Sequence, residues 1–166
     1  MSTNPTSPFY NAVLPTPAPL FQYMNYAEQP NQYQKVIITT AQLLALNGAP
    51  VIIAPAGGPG TILVPDGLTA RYIAGNTGFT IGVAVLKLYI GSIAAGHALT
   101  ASFATGLVDQ TVNKNLPFIS IISPTTIDTD ANYLNQPLSI GNDNATQLTL
   151  GNGALEILLE YSTMLV

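Results

Sequence analysis

The end of the chain alternates most cleanly between apolar and polar positions. Leu155, Ile157, Leu159 and Tyr161 fall on one side and Glu156 and Glu160 on the other, which predicts a half-buried strand over residues 155–161. Residues 79–90 predict the longest strand. Phe79, Ile81, Val83 and Val85 share one face, and Ala84, Leu86, Leu88 and Ile90 the other. A strand apolar on both faces is central in its sheet or half-buried against another subunit. Gly82 within it marks a bulge or a close approach.

Shorter strands are predicted over 34–39, 51–54, 62–64, 68–74, 118–123, 138–140 and 147–150, with one more inside the small-residue stretch 92–115. Turn chemistry separates them: Gly57-Gly58-Pro59-Gly60, Pro65-Asp66-Gly67 closing the strand before it, and Asn76-Thr77-Gly78. Residues 40–46 (TAQLLAL) are the one helical stretch, with Thr39 or Thr40 to cap its start and Asn47-Gly48 to end it. Eight to ten short strands with this punctuation predict an all-β fold, a jelly-roll-like β-sandwich carrying one short helix.

Residues 1–34 differ from the β-sandwich domain, 35–166. They hold six of the 13 prolines and four of the eight tyrosines, with Glu28 as their only charge. Proline at this density disfavours helix and sheet and favours extended chain. A solvated tail would not need Phe9, Tyr10, Leu14, Leu20, Phe21, Tyr23 and Tyr26. An extended N-terminal arm that buries these side chains on a partner surface accounts for them, because aromatics supply contact area at low entropic cost.

Composition sharpens the picture. The 166 residues are 48% hydrophobic and only 7% charged, four basic against eight acidic. A compact monomer of this mass exposes about 7,900 Å², so charges are sparse for a solvated surface. Either uncharged polar residues carry the surface or other subunits cover much of it. Together with the two-sided strand 79–90, this predicts a homo-oligomer. Lys35, Arg71, Lys87 and Lys114 are scattered singly, which argues against nucleic acid as a partner. The longest apolar stretch, residues 81–90, is interrupted by Lys87 and is about half the length of a membrane-spanning helix. Residues 1–20 lack the basic start of a secretory signal.

Candidate chemistry is thin. The sequence has no cysteine, which excludes thiol catalysis and thiolate metal sites. Gly57–Gly60 lacks the Lys-Ser/Thr of a phosphate-binding loop and opens no helix, so it is a loop between strands. His97, the single histidine, has no serine–aspartate order around it and is placed on a loop or strand edge. Asp128-Thr129-Asp130 opens like a calcium loop, but the sixth and twelfth positions hold Tyr133 and Ser139, so no metal is expected there or at Asp143. Glu156 and Glu160 lie about 13 Å apart on one strand face, too far for a glycosidase pair. Asn144-Ala145-Thr146 has the form of a glycosylation site. No catalytic residue, cofactor or metal is expected.

The run TAQLLALNGAPVIIAPAGGPGTILVPDG, followed by Tyr72, a long strand and NDNATQLTLGNGALEILLEYSTMLV, resembles small structural proteins encoded in the head-gene clusters of tailed bacteriophages, some of them capsid decoration or cement proteins. The resemblance covers residues 36–166. It implies a β-sandwich or jelly-roll body, often a homotrimer, with no enzymatic activity. Its partners would be the major capsid protein and further copies of itself. The chain would be made in the host cytoplasm and located on the virion surface. Two rivals come from other classes. A glycan- or receptor-binding head of a tail fibre would need exposed aromatic platforms beside polar loop tips, and the sequence has no tryptophan. A hydrolase would need a nucleophile–base pair.

Overall fold

The computed structural model describes residues 31–91, 93, 97–121, 132–142 and 147–166. The elements run β1 (Gln32–Ile38), α1 (Thr40–Ala45), β2 (Val51–Ala54), β3 (Thr61–Ile73), β4 (Leu86–Ile90), β5 (Lys114–Leu116), β6 (Leu138–Asn142) and β7 (Ala154–Leu165). They form a four-stranded sheet in the order β1-β7-β3-β5 and a three-stranded sheet in the order β2-β6-β4. Every pairing is antiparallel. The fold is the expected all-β sandwich with one short helix.

The alternation read in residues 155–161 is the one the fold uses. Leu155, Ile157 and Leu159 are fully buried and Tyr161 nearly so. They join Leu63, Leu68, Ala70 and Tyr72 of β3 and meet Leu86, Leu88, Ile90, Leu138 and Ile140 of the other sheet in a single core. Fully burying such a side chain contributes about 1.5–3 kcal/mol. This inner layer therefore carries most of the stability.

Thr39 caps α1. Its hydroxyl accepts from the Gln42 amide at 3.4 Å, and Gln42 Oε1 accepts from the Thr39 amide at 2.9 Å, a reciprocal capping box. Leu43 and Leu46 of this segment enter the core.

Five predicted strands take a different form. Residues 62–64 and 68–74 belong to one strand, β3. Pro65-Asp66-Gly67 does not end it but forms a bulge, the register against β7 passing from Pro65↔Tyr161 to Gly67↔Glu160. Proline is tolerated there because β5 pairs with β3 only at Ala70–Tyr72, so at Pro65 that edge needs no amide hydrogen. Residues 79–90 are not one strand. Gly82 turns with a φ of 57°, a conformation open to glycine, and only β4 is laddered. Residues 147–150 contribute a single bridge, Thr80↔Thr149, and Ile121 of the stretch 118–123 bridges Thr100.

The two-sided burial of β4 arises within one chain. The Leu99 amide donates to the Leu88 carbonyl at 2.7 Å and the Phe103 amide to the Leu86 carbonyl at 3.0 Å, so residues 97–103 cover the outer edge of β4. Leu88 faces the core, while Tyr89, also fully buried, faces the opposite way. Val83, expected to be apolar and covered, is 61% exposed in the turn.

Tyr72 packs edge-on against Phe79, ring centres 6.2 Å apart, and its buried hydroxyl has no hydrogen-bond partner. Burial first, then the charge of Asp109, raises its pKa above the ordinary 10.0. A folded-state pKa raised above the unfolded one gives stability that is complete below pH 10 and lost as pH rises through the raised value. Tyr72→Phe is therefore expected to leave neutral-pH stability unchanged or higher by about 1 kcal/mol, and to flatten the alkaline decline. Urea midpoints from pH 7 to 11 check both. A variant that is less stable at pH 7 would show that the hydroxyl is satisfied.

Candidate interaction face

In an antiparallel ladder, directly paired residues project from the same side. The register of β1, β7 and β3 therefore defines the outer face of the four-stranded sheet row by row. Ile37, Glu156 and Arg71 form one row, Lys35, Leu158 and Thr69 the next, and Tyr33, Glu160 and Gly67 a third. Beyond the bulge come Ser162 beside Val64 and Met164 beside Ile62. Tyr33 is 67% exposed, Ile37 51% and Leu158 45%, with Met164 at the margin. Apolar and charged side chains thus alternate across a face that no element of the described chain covers.

Two of its charges pair directly and a third is held by hydrogen bonds. Lys35 Nζ lies 2.8 Å from Glu156 Oε2. With the lysine side chain 60% exposed, this pair is worth at most about 1 kcal/mol. Glu160 Oε1 accepts from Asn31 Nδ2 at 2.7 Å and from the Tyr33 hydroxyl at 2.9 Å. That hydrogen bond, and then the carboxylate charge, raises the Tyr33 pKa above its ordinary value. Both glutamates, read as solvent-face charges, are engaged in these contacts.

A second feature is a groove of about 420 Å³ where residues 101–107 lie beside β5. Ser102, Phe103, Leu107, Lys114, Leu116 and Ile119 are among its lining residues. Neither a histidine nor a carboxylate lines it, so it lacks a pair for acid–base chemistry. His97 sits at the edge of β4, its carbonyl accepting from the Ile90 amide at 3.2 Å, and its ring lies 5.5 Å from that of Tyr133. This is the strand-edge role expected of it. Gly57–Gly60 is the loop between β2 and β3, held by the Gly58 amide donating to Asn135 Oδ1 at 3.1 Å.

The arm residues Phe9, Tyr10, Leu14, Leu20, Phe21, Tyr23 and Tyr26 lie outside the described residues, as do Asp128, Asp130, Asp143 and the sequence Asn144–Thr146. Among the described residues no three histidines, aspartates or glutamates are grouped to hold a metal ion, and no helix is long and apolar enough to cross a membrane. Sequence analysis missed Tyr33, Ile37 and Leu158 as face residues. The signal was present: Leu158 lies midway between Glu156 and Glu160, the two positions read as outward.

The fold is that of a two-sheet antiparallel β-sandwich. No family model matches the chain, and no curated protein matches it. Among solved structures, it is similar to a chain of the cyanophage Pam1 capsid asymmetric unit, with a TM-score of 0.38 and 13% identity over 81% of this chain and 84% of that one. At that distance the likeness decides nothing about the face.

Proposed function

We propose that the chain is a non-enzymatic structural subunit of a phage particle, a capsid decoration or cement protein. It associates with itself, as a homotrimer, and with the major capsid protein through its arm. The observation that carries this reading is the outer face of the four-stranded sheet, where Tyr33, Ile37 and Leu158 stand exposed beside the Lys35–Glu156 pair and the hydrogen-bonded Glu160. Aromatic and aliphatic groups within a polar frame are the composition of a protein interface. The scarcity of charge supports it, since a surface shared with neighbours needs little. The sequence resemblance to phage head proteins suggests the capsid as the partner.

Co-sedimentation tests it. The chain at micromolar concentration is expected to pellet with purified capsids of the phage that carries its gene, to saturate, and to raise the temperature at which those capsids open. Failure to pellet overturns the proposal. If the chain instead binds host cells or their glycans, the receptor-binding head of a tail fibre becomes the better description.

A further inference from the structure

We propose that the open edge of β1 is completed by residues 20–29 of a second copy of this chain, which join the four-stranded sheet as a fifth strand. The inference deepens the assembly reading and rests on it.

β1 closes the four-stranded sheet on one side, and no strand of the described chain pairs with its other edge. Folded proteins blunt such edges with proline, a bulge, a very short strand or an outward lysine. β1 has only the last of these, and that one is engaged. It is seven residues long, contains no proline, and runs in unbroken register with β7. Its single lysine, Lys35, is drawn over the sheet to Glu156 rather than left guarding the edge. A long, regular edge of this kind is a template for another strand.

The chain preceding Asn31 supplies a matching segment. Its longest proline-free run is residues 20–29, LFQYMNYAEQ, between Pro19 and Pro30. The run contains Phe21, Tyr23 and Tyr26, residues that favour strands, and each of its positions has an amide to donate. Ten extended residues span about 33 Å, more than β1 needs. Its one charge is Glu28 and that of β1 is Lys35, so no like charges meet.

Pro30 argues that the segment comes from a second copy. The two-residue turns that hairpins favour both require positive φ at their first central residue, and proline is fixed near −65°. Residues 20–29 therefore cannot fold back through a tight Pro30-Asn31 turn onto their own β1. An arm given to one neighbour and an edge offered to the other is a head-to-tail contact, which closes into a ring such as a trimer. Phe9, Tyr10 and Leu14 then remain for the capsid.

The absence of native cysteine makes the test clean. Chains carrying Ile37→Cys are mixed with chains carrying Met24→Cys, Asn25→Cys or Tyr26→Cys and oxidised. At least one mixture is expected to give a disulfide-linked pair of different chains on a non-reducing gel. No linked pair in any mixture overturns the inference. So does a chain bearing both cysteines that closes only on itself, which assigns the edge to its own arm. Light scattering supplies the second readout. The full chain is expected at a multiple of 17.4 kDa, and Met24→Pro at the mass of one chain. If Met24→Pro keeps the full mass, the inference fails while the assembly reading stands. Phe9→Ala with Tyr10→Ala is expected to lose capsid binding at unchanged mass; normal capsid binding by that variant removes the division of the arm proposed here.

Discussion

Deleting residues 2–29 is expected to leave the sandwich folded and to abolish its binding to capsids. The cut falls before Asn31 because β1 begins at Gln32 and because Asn31 and Tyr33 both donate to Glu160. Among the described residues the core is built from Ile38 onward, with Val36 packed against it, and circular dichroism of the truncated chain is expected to show β structure and a cooperative melt. Binding should change far more. Each aromatic of the arm that becomes buried contributes about 2 kcal/mol, offset by the entropy of ordering the chain. The six prolines reduce that offset by restricting the free arm. Replacing Phe9, Tyr10, Phe21 and Tyr23 with alanine should weaken capsid binding by at least about a hundredfold, since each 1.4 kcal/mol is a factor of ten. Normal decoration by the truncated chain would refute the role of the arm. Loss of the cooperative melt would show instead that the arm belongs to the core.

Leu159→Ala and Leu158→Ala, neighbours on one strand, should part widely. Leu159 is fully buried and flanked in register by Gln34 and Leu68. Truncating it removes apolar burial and leaves a cavity, at about 3 kcal/mol, so the melting temperature should fall by about 10 °C. Leu158 is 45% exposed on the opposite face. Its truncation should cost less than about 0.5 kcal/mol in the isolated chain and act on assembly instead, read as a weaker association in light scattering. Equal thermal losses at the two positions would mean that the outer face is covered within the single chain.

What could be read from the sequence follows from how local its causes are. The α1 capping box needs only Thr39 and Gln42, three positions apart, and the β7 pattern needs only its own alternation. Both are properties of a few neighbouring residues. The bulge at Pro65-Asp66-Gly67 resembles a strand end by the same local rules. It is a continuing strand because β7 pairs on both sides of the bulge, Pro65 with Tyr161 and Gly67 with Glu160, partners far along the chain that no local rule can see. The two-sided apolar run 79–90 suggested a strand either central in its sheet or set against another subunit. Within the chain, β4 is indeed flanked on both edges, by β6 and by residues 97–103. The outer face of the other sheet was hidden because its exposed apolar members, Tyr33 and Ile37 on β1 and Leu158 on β7, are far apart in sequence and become adjacent only once β7 pairs with β1.

The placement of β7 also sets the order of events during synthesis. It is the last strand made, yet it lies between β1 and β3, and the contact from Asn31 to Glu160 joins positions 129 apart. On the ribosome β1 and β3 must wait without their common partner until residues 154–165 have emerged. Pairings so far apart in the chain are slow to form, on the scale of milliseconds to seconds, and translation at about 5–20 residues per second keeps the two strands apart for several seconds before that. Until β7 arrives, β1 lacks its partner and the outer face of the four-stranded sheet does not exist. Any contact that copies make through that face is thereby reserved for chains synthesised through β7, and a chain cut short before residue 154 would carry no such face.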